Sequence, residues 1–250
     1  MKISVVTAVK NGGEALRSAL DSLHAQTHAD VEHVVQDGGS TDGTCAYLRA
    51  RGHPHMSLVS APDAGIYDGI NAGIRRATGD VIGLLHADDI LAGPEVLAWV
   101  AAALEDDSID GVYGDLEYVA RHDNTRVIRY WWAGPYAQAR LKRGWMPPHP
   151  TLYLRRQVFA RAGLYDTSYR ISGDYDGMLR WLTTGEVRLA YIPQVMVRMR
   201  VGGASNRSFA QMLQKSREDY RAIRRHKVGG IGTLMAKNLS KLPQFTTRRD

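Results

Sequence analysis

Acidic residues able to do chemistry gather in four short stretches of this chain. They are Asp37-Gly38-Gly39-Ser40-Thr41-Asp42-Gly43-Thr44, Asp63 to Asn71, His86-Ala87-Asp88-Asp89, and Gly173-Asp174-Tyr175-Asp176. The third is the sharpest: an apolar run, Val81 to Leu85, stops at two adjacent carboxylates. Such a run reads as a buried strand of a parallel sheet. Acids beyond its carboxyl end suit a hard divalent cation, which takes oxygen ligands. Asp89 before Ile90 equally suits a helix cap. Asp37 stands where a strand ends, with glycines that let a ligand approach the backbone. Asp68 and Asn71 are three apart and share a helix face.

These stretches need elements to hold them. Strands are expected at Lys2 to Val9, Val31 to Gln36, Met56 to Ser60 and up to Leu85. Helices are expected at Ala15 to Leu23, Thr44 to Arg51 and Ala64 to Ala77. The alternation implies an α/β fold, a mostly parallel sheet with right-handed crossovers. A helix follows Pro94 to about Leu104. Beyond Asp110 the texture changes: strands at Gly111 to Val119 and Thr125 to Trp132, then an irregular aromatic-rich stretch from Gly134 to Pro150. Helices are expected at Leu152 to Gly163 and Asp174 to Thr184, strands at Arg188 to Pro193 and Val195 to Val201, and a basic amphipathic segment at Ser208 to His226.

Composition narrows the class. Cys45 is the only cysteine of 250 residues, which excludes an internal disulfide framework and a cysteine-based zinc cluster. No stretch reaches the roughly eighteen apolar residues of a membrane span. A strand begins almost at Met1, so no signal peptide is expected and the reading is cytoplasmic. The net charge of +6 is uneven: Arg198 to Asp250 holds thirteen Lys/Arg against three Asp/Glu. A basic tail on a mildly acidic body suggests an anionic partner: lipid headgroups, as on the inner face of a cell membrane, a phosphorylated acceptor or nucleic acid. The turn Lys10-Asn11-Gly12-Gly13 lacks a dinucleotide fingerprint and a phosphate loop.

Taken in order, Asn11, the Asp37–Thr44 block, Asp63-Ala64-Gly65-Ile66-Tyr67-Asp68 with Asn71, and His86-Ala87-Asp88-Asp89 resemble the inverting family-2 glycosyltransferases of the GT-A fold. The resemblance covers roughly residues 1 to 205. It implies a Rossmann-like nucleotide half, 1–110, and a mixed acceptor-side half, 111–205, followed by a basic helical extension, 206–250. It implies a nucleoside-diphosphate sugar donor, Mg²⁺ or Mn²⁺, a saccharide or lipid-linked acceptor, and a place in bacterial cell-surface polysaccharide or glycolipid assembly. Thr7, Val9, Asn11 and Asp37 would line the base. Asp63, Asp68, Asn71, His86 and Ala87 would face the rest of the donor. Asp88 and Asp89 would hold the metal, with Asp89 the firmer ligand because His86 replaces the first acid of a full D-x-D motif.

His149 resembles the family's H-x-T histidine, and Arg198, Arg200 and Gly202 to Ser205 resemble a segment that closes over the diphosphate. Asp174 resembles the general base, and its position at a helix start favours the ionised form a base needs. Asp176, two residues on, faces elsewhere on a helix. Two rival readings keep distinct signatures. A nucleotidyltransferase wants a Gly-rich basic loop near the N-terminus, which Lys10 to Gly13 does not provide. A nucleic-acid binder wants aromatics interleaved with the basic tail, where only Phe209, Tyr220 and Phe245 stand; no nucleic-acid partner is expected.

Overall fold

The computed structural model describes residues 1–183, 187–201, 209–240 and 244. The first half is built as the alternation requires: β1 (Ile3–Val9), α1 (Ala15–His24), β2 (Val31–Asp37), α2 (Thr44–Arg51), β3 (Met56–Ser60), α3 (Ile66–Arg76) and β4 (Val81–Leu84). The four strands are parallel, in the order β3-β2-β1-β4. Chain order reverses between β1 and β4, and ligands of open α/β sheets sit in the crevice at such a point. Both faces of the sheet are covered. Val6, Ala8 and Val34 turn towards α3, whereas Ile3 and Val5 turn towards the α1 and α4 side. This double burial explains why the strands read as continuous apolar runs. Each fully buried Leu or Ile here contributes about 1.5–3 kcal/mol.

The remaining elements are β5 (Asp89–Leu91), α4 (Val96–Ala103), β6 (Gly111–Ala120), β7 (Asp123–Trp131), β8 (Tyr153–Arg155), α5 (Arg156–Ala162), α6 (Gly173–Thr183), β9 (Leu189–Arg200), α7 (Phe209–Arg225) and α8 (Ile231–Leu239). They extend the sheet through β8, β6, β9 and β5, with β7 hairpinned on β6. Three expectations are corrected. Leu152 to Gly163 is not one helix: Tyr153–Arg155 forms β8, which bridges β4 and β6 antiparallel before α5 begins. Three residues, of which Tyr153 and Leu154 are buried, are too few to show a strand period. The two strands around Pro193 are one, β9. The register steps from Gly114↔Ile192 to Asp115↔Val195, so Pro193, which has no N–H to donate, sits in a bulge. The stretch 134–150 contains two 3-10 turns, Gln138–Arg143 and the start of His149–Thr151.

The division at residue 206 does not mark a separate appendage. Ala222, Ile223 and Val228 are buried in the same core as Tyr175, Met178 and Trp181 of α6. α8, absent from the sequence reading, lies against the 138–143 turn; Thr233 Oγ1 donates to Lys142 O at 2.9 Å. Gly144 makes this contact possible: at φ +75°, a Cβ there would come within 2.5 Å of the Lys237 backbone.

Candidate active site

The loops after β1 and β2 lock each other in place. Asn11, at φ +55°, accepts the Thr41 N–H on Oδ1 at 2.9 Å, and its own N–H donates to Ser40 Oγ at 2.7 Å. The open N–H groups ahead of α1 are also satisfied from this loop. Gly12 donates to Thr44 Oγ1 at 3.0 Å and Gly13 to Asp42 Oδ2 at 3.2 Å. Ahead of the Gly43 N-cap of α2, the Asp42 carboxylate takes the Thr44 N–H at 3.0 Å. Asp37 is wholly buried and accepts from the Gly39 and Ser40 N–H groups, Ser40 Oγ and Ser60 Oγ. Burial pushes its pKa up, but the Ser40 and Ser60 bonds outweigh that and hold it below the usual range. The carbonyl of Val9 accepts the Gly38 N–H at 2.8 Å, and the Thr7 hydroxyl pairs with His33 Nε2 at 3.1 Å. In this state Asp37, Val9 and Thr7 hold the donor-side framework together.

Asp63 accepts the Gly65 N–H at 3.1 Å, and its carboxylate rests against Gly38 and Gly69, where a Cβ would crowd it. Asp68 reaches back to the Ala64 N–H at 3.1 Å and closes the first turn of α3. Asn71, which the resemblance expects to face the donor, turns its amide to the chain ahead of α6. It is 2% exposed, and its amide grips Tyr165 twice, donating to the carbonyl at 2.8 Å and accepting the N–H at 2.9 Å. It ties the donor half to the chain ahead of α6.

The acidic doublet separates by depth, reversing the expected order. Asp89 is 0% exposed, and neither carboxylate oxygen has a hydrogen-bond partner. Burial, then the neighbouring Asp88 charge, raise its pKa well above the carboxylate range, against the pull of Arg200. Asp88 is exposed and borders a cavity of about 800 Å³, with Asn11 to Ala15, the β6–β7 turn and Arg200. Asp88 is therefore the accessible carboxylate of the doublet. Among the described residues no three His, Cys, Asp or Glu side chains converge as a metal cage. One or two carboxylates still fit Mg²⁺ or Mn²⁺, which completes its shell with phosphate oxygens and water.

A second cavity of about 800 Å³ opens between the sheet and the helices of the second half. His86, His149, Asp174, Tyr175 and Arg200 line it, together with a wall of Trp and Arg residues. Asp174 sits in the first turn of α6 and accepts the Tyr175 N–H at 2.8 Å. The Tyr67 hydroxyl, 2.7 Å from Ile171 O, also lies 3.4 Å from Asp174 Oδ1. Gly173 is needed for this contact, because a Cβ there would press into the Tyr67 ring at 2.7 Å. Asp176 is 0% exposed and faces α7, with His226 Nε2 at 2.9 Å and Arg225 at 3.6 Å. His149 bonds Tyr165 Oη through Nε2 at 2.8 Å, its ring 5.7 Å from that of His86. Burial lowers its pKa to about 4 despite the Asp174 charge, so the imidazole is neutral at neutral pH.

Arg200 borders both cavities and donates to Asn124 Oδ1 at 3.1 Å, and Arg198 pairs with Glu117 at 3.0 Å. Neither Asp37, Asp63 nor Asp68 is on the wall of these two cavities. The segment Gly202 to Ser205 lies outside the described residues. Sequence reasoning missed Tyr67, Arg140, Arg143, Lys215 and Lys237. Tyr67 stood inside a quoted motif without a role, whereas the others come together only through packing.

A parallel nucleotide-type half, a mixed second half and a carboxylate-lined cleft between them define a glycosyltransferase of the GT-A fold. Residues 4–163 match the sequence family described as Glycosyl transferase family 2, and the chain belongs to that family. A PGL/p-HBAD biosynthesis glycosyltransferase of Mycobacterium tuberculosis is 33% identical over 208 residues, 81% of this chain and 78% of that one. A glycosyltransferase of Nostoc sp. is 28% identical over 87% of this chain and 70% of its own length. S. aureus TarS 1-349 in complex with UDP-GlcNAc superposes with a TM-score of 0.70 at 17% identity, covering 91% of this chain and 66% of that chain. The mannosyltransferase PcManGT from Pyrobaculum calidifontis, in complex with GDP-Man and Mn²⁺, gives 0.69 at 20%, covering 98% and 73%. At these identities the structures show the shared fold.

Proposed function

We propose that the chain moves a sugar from a nucleoside-diphosphate donor to an acceptor hydroxyl with inversion at the anomeric carbon. The carrying observation is the pair Asp174 and Asp176. One carboxylate faces the cleft beside His86 and His149, and the other is buried against α7. The acceptor O–H gives its proton to Asp174, its oxygen forms a bond to the anomeric carbon, and the bond to the diphosphate oxygen breaks. Tyr67 and the Tyr175 N–H hold the carboxylate in place. Asp88 would hold Mg²⁺ or Mn²⁺, whose charge would offset that of the departing diphosphate. Arg200 offers the leaving group a second positive charge. The donors named with TarS and PcManGT support a nucleotide sugar, and the Mn²⁺ of PcManGT supports the metal. The test is turnover of a panel of UDP-, GDP- and dTDP-sugars, with the anomeric configuration of the product read by NMR. Inversion is expected; retained configuration overturns the mechanism.

The same reading places the enzyme in cytoplasm at an anionic membrane face. Among the described residues no helix is long and apolar enough to cross a membrane. Phe209, Met212 and Leu213 are exposed on α7, followed on the same face by Arg217 and Arg224. Ile231, Met235 and Leu239, spaced by four, are exposed on α8. Apolar residues beside cations suit an interfacial helix, each cation adding about 1 kcal/mol near anionic lipid. Deleting the tail would remove core residues, so the informative variant is Phe209→Ser with Ile231→Ser and Met235→Ser. Co-sedimentation with phosphatidylserine-containing vesicles should fall in that variant and in high salt. Equal binding of the wild type to neutral and anionic vesicles would contradict the docking.

A further inference from the structure

The cleft around Asp174 carries more positive charge than the donor reading requires. Its wall holds Arg129, Arg140, Arg143, Arg200, Lys215 and Lys237 against two carboxylates, Asp174 and Asp219. Arg200 stands on the Asp88 side. Arg140, Arg143, Lys215 and Lys237 belong to the 138–143 turn, α7 and α8, on the opposite, acceptor side. Asp219 is 2% exposed and is shared by both lysines, Lys215 at 2.6 Å and Lys237 at 2.8 Å. Two ammonium groups around one carboxylate leave a positive excess. Lys237 is itself 4% exposed, with its amine 3.4 Å from the centroid of the Tyr175 ring. Tyr175 is the residue next to the proposed base, so this buried amine lies close to where an acceptor hydroxyl must arrive.

The two arginines complete the wall. Arg140 stacks on Trp145 at 4.9 Å and donates to Pro135 O at 2.6 Å. Arg143 is exposed, and among the described residues neither arginine pairs with a carboxylate. Burial drives the Lys237 pKa down to about 7, with Asp219 opposing the shift. A bound anion would favour its charged form. Guanidinium groups are the side chains of choice for phosphate and carboxylate oxygens.

We propose that the acceptor carries an anionic group, phosphate or carboxylate, which Arg140, Arg143 and the Lys215–Lys237 pair bind beside Asp174. The inference rests on the glycosyltransferase reading and adds the chemistry of the acceptor. The anion fixes the acceptor at one end of the cleft while its hydroxyl reaches Asp174 at the other. Aromatic neighbours such as Trp145 supply a face for an attached sugar or apolar group.

The test uses the full chain and two probes, inorganic pyrophosphate and benzoate, titrated calorimetrically with and without saturating UDP or GDP and Mn²⁺. One probe is expected to bind when the nucleotide site is filled, and its Kd to rise at least tenfold in Arg140→Ala/Arg143→Ala. Nucleotide binding should stay within twofold in that variant. Pyrophosphate binding assigns a phosphate group to the acceptor, and benzoate binding a carboxylate. If neither probe binds, or if binding is the same in the variant, the inference is overturned. Nucleotide affinity is read separately. If no nucleotide binds while a probe still depends on the arginines, the anion site stands and the donor reading falls. Both arginines lie on the 138–143 turn outside the buried core, and an unchanged melting temperature confirms that the variant is folded.

Discussion

Asp174→Asn should lower kcat by about 10²–10⁴ while leaving donor affinity nearly unchanged. The substitution keeps the shape of the side chain and removes its basicity. The neighbours that hold it, the Tyr175 N–H and the Tyr67 hydroxyl, have acceptor oxygen in either case. The contacts proposed for the donor diphosphate, Asp88 and Arg200, do not include this carboxylate, so donor binding should not depend on it. Asp176→Asn is the matched control. Asp176 is buried against His226 and Arg225, and burial, which raises its pKa, is outweighed by the His226 hydrogen bond and charge. Its substitution should cost stability, about 1–3 kcal/mol, with kcat close to that of the wild type. If Asp174→Asn keeps more than about a tenth of wild-type kcat, short of the range expected for a base, and Asp176→Asn is inactive, the two roles are exchanged.

The second large effect is expected at the doublet. Asp88→Ala should reduce kcat/KM by at least about 10²-fold, the scale of losing one preorganised charge contact to a transition state. It should also abolish the contribution of Mn²⁺ to nucleotide binding. Asp89→Asn should retain that contribution, because the Asp89 oxygens are closed off from the cavity. The resemblance to a D-x-D motif, with His86 in place of its first acid, favoured Asp89. The distinction comes from the turn after β4: the Asp89 N–H returns to His86 O at 3.1 Å, and Asp89 enters β5 opposite Met199. That pairing buries Asp89 and leaves Asp88 at the cavity.

The same contrast runs through the whole molecule. β1 and β4 were legible because each is a run of apolar residues buried on both faces, β2 and β3 because they fall in the alternation with helices, of which α1 and α3 carry a clear period. That Asp174 and Asp176 face apart was legible, because two residues along a helix turn a side chain away; the resemblance and the helix start singled out Asp174. β5 and β8, at three residues each, were not, since their strand character comes only from neighbours in the sheet. Asn71 shares a helix face with Asp68, yet its amide is drawn to Tyr165, a partner 94 positions away. Lys237 counted in the sequence as one more tail charge. Only the packing of α8 against Gly144 and the Tyr175 ring turns it into a buried amine on the cavity that Asp174 lines.

The central claim is that a nucleoside diphosphate and a divalent cation meet at Asp88. The most direct measurement is thermal stability of wild type and Asp88→Ala with UDP, GDP or dTDP, each with and without Mn²⁺. A ligand present at 100 times its Kd adds about 2.7 kcal/mol of stability. One nucleotide should stabilise the wild type, more strongly with Mn²⁺, and the Mn²⁺-dependent part should vanish in Asp88→Ala. No stabilisation of the wild type by any of the three, or an Mn²⁺ effect that survives in Asp88→Ala, would contradict the account.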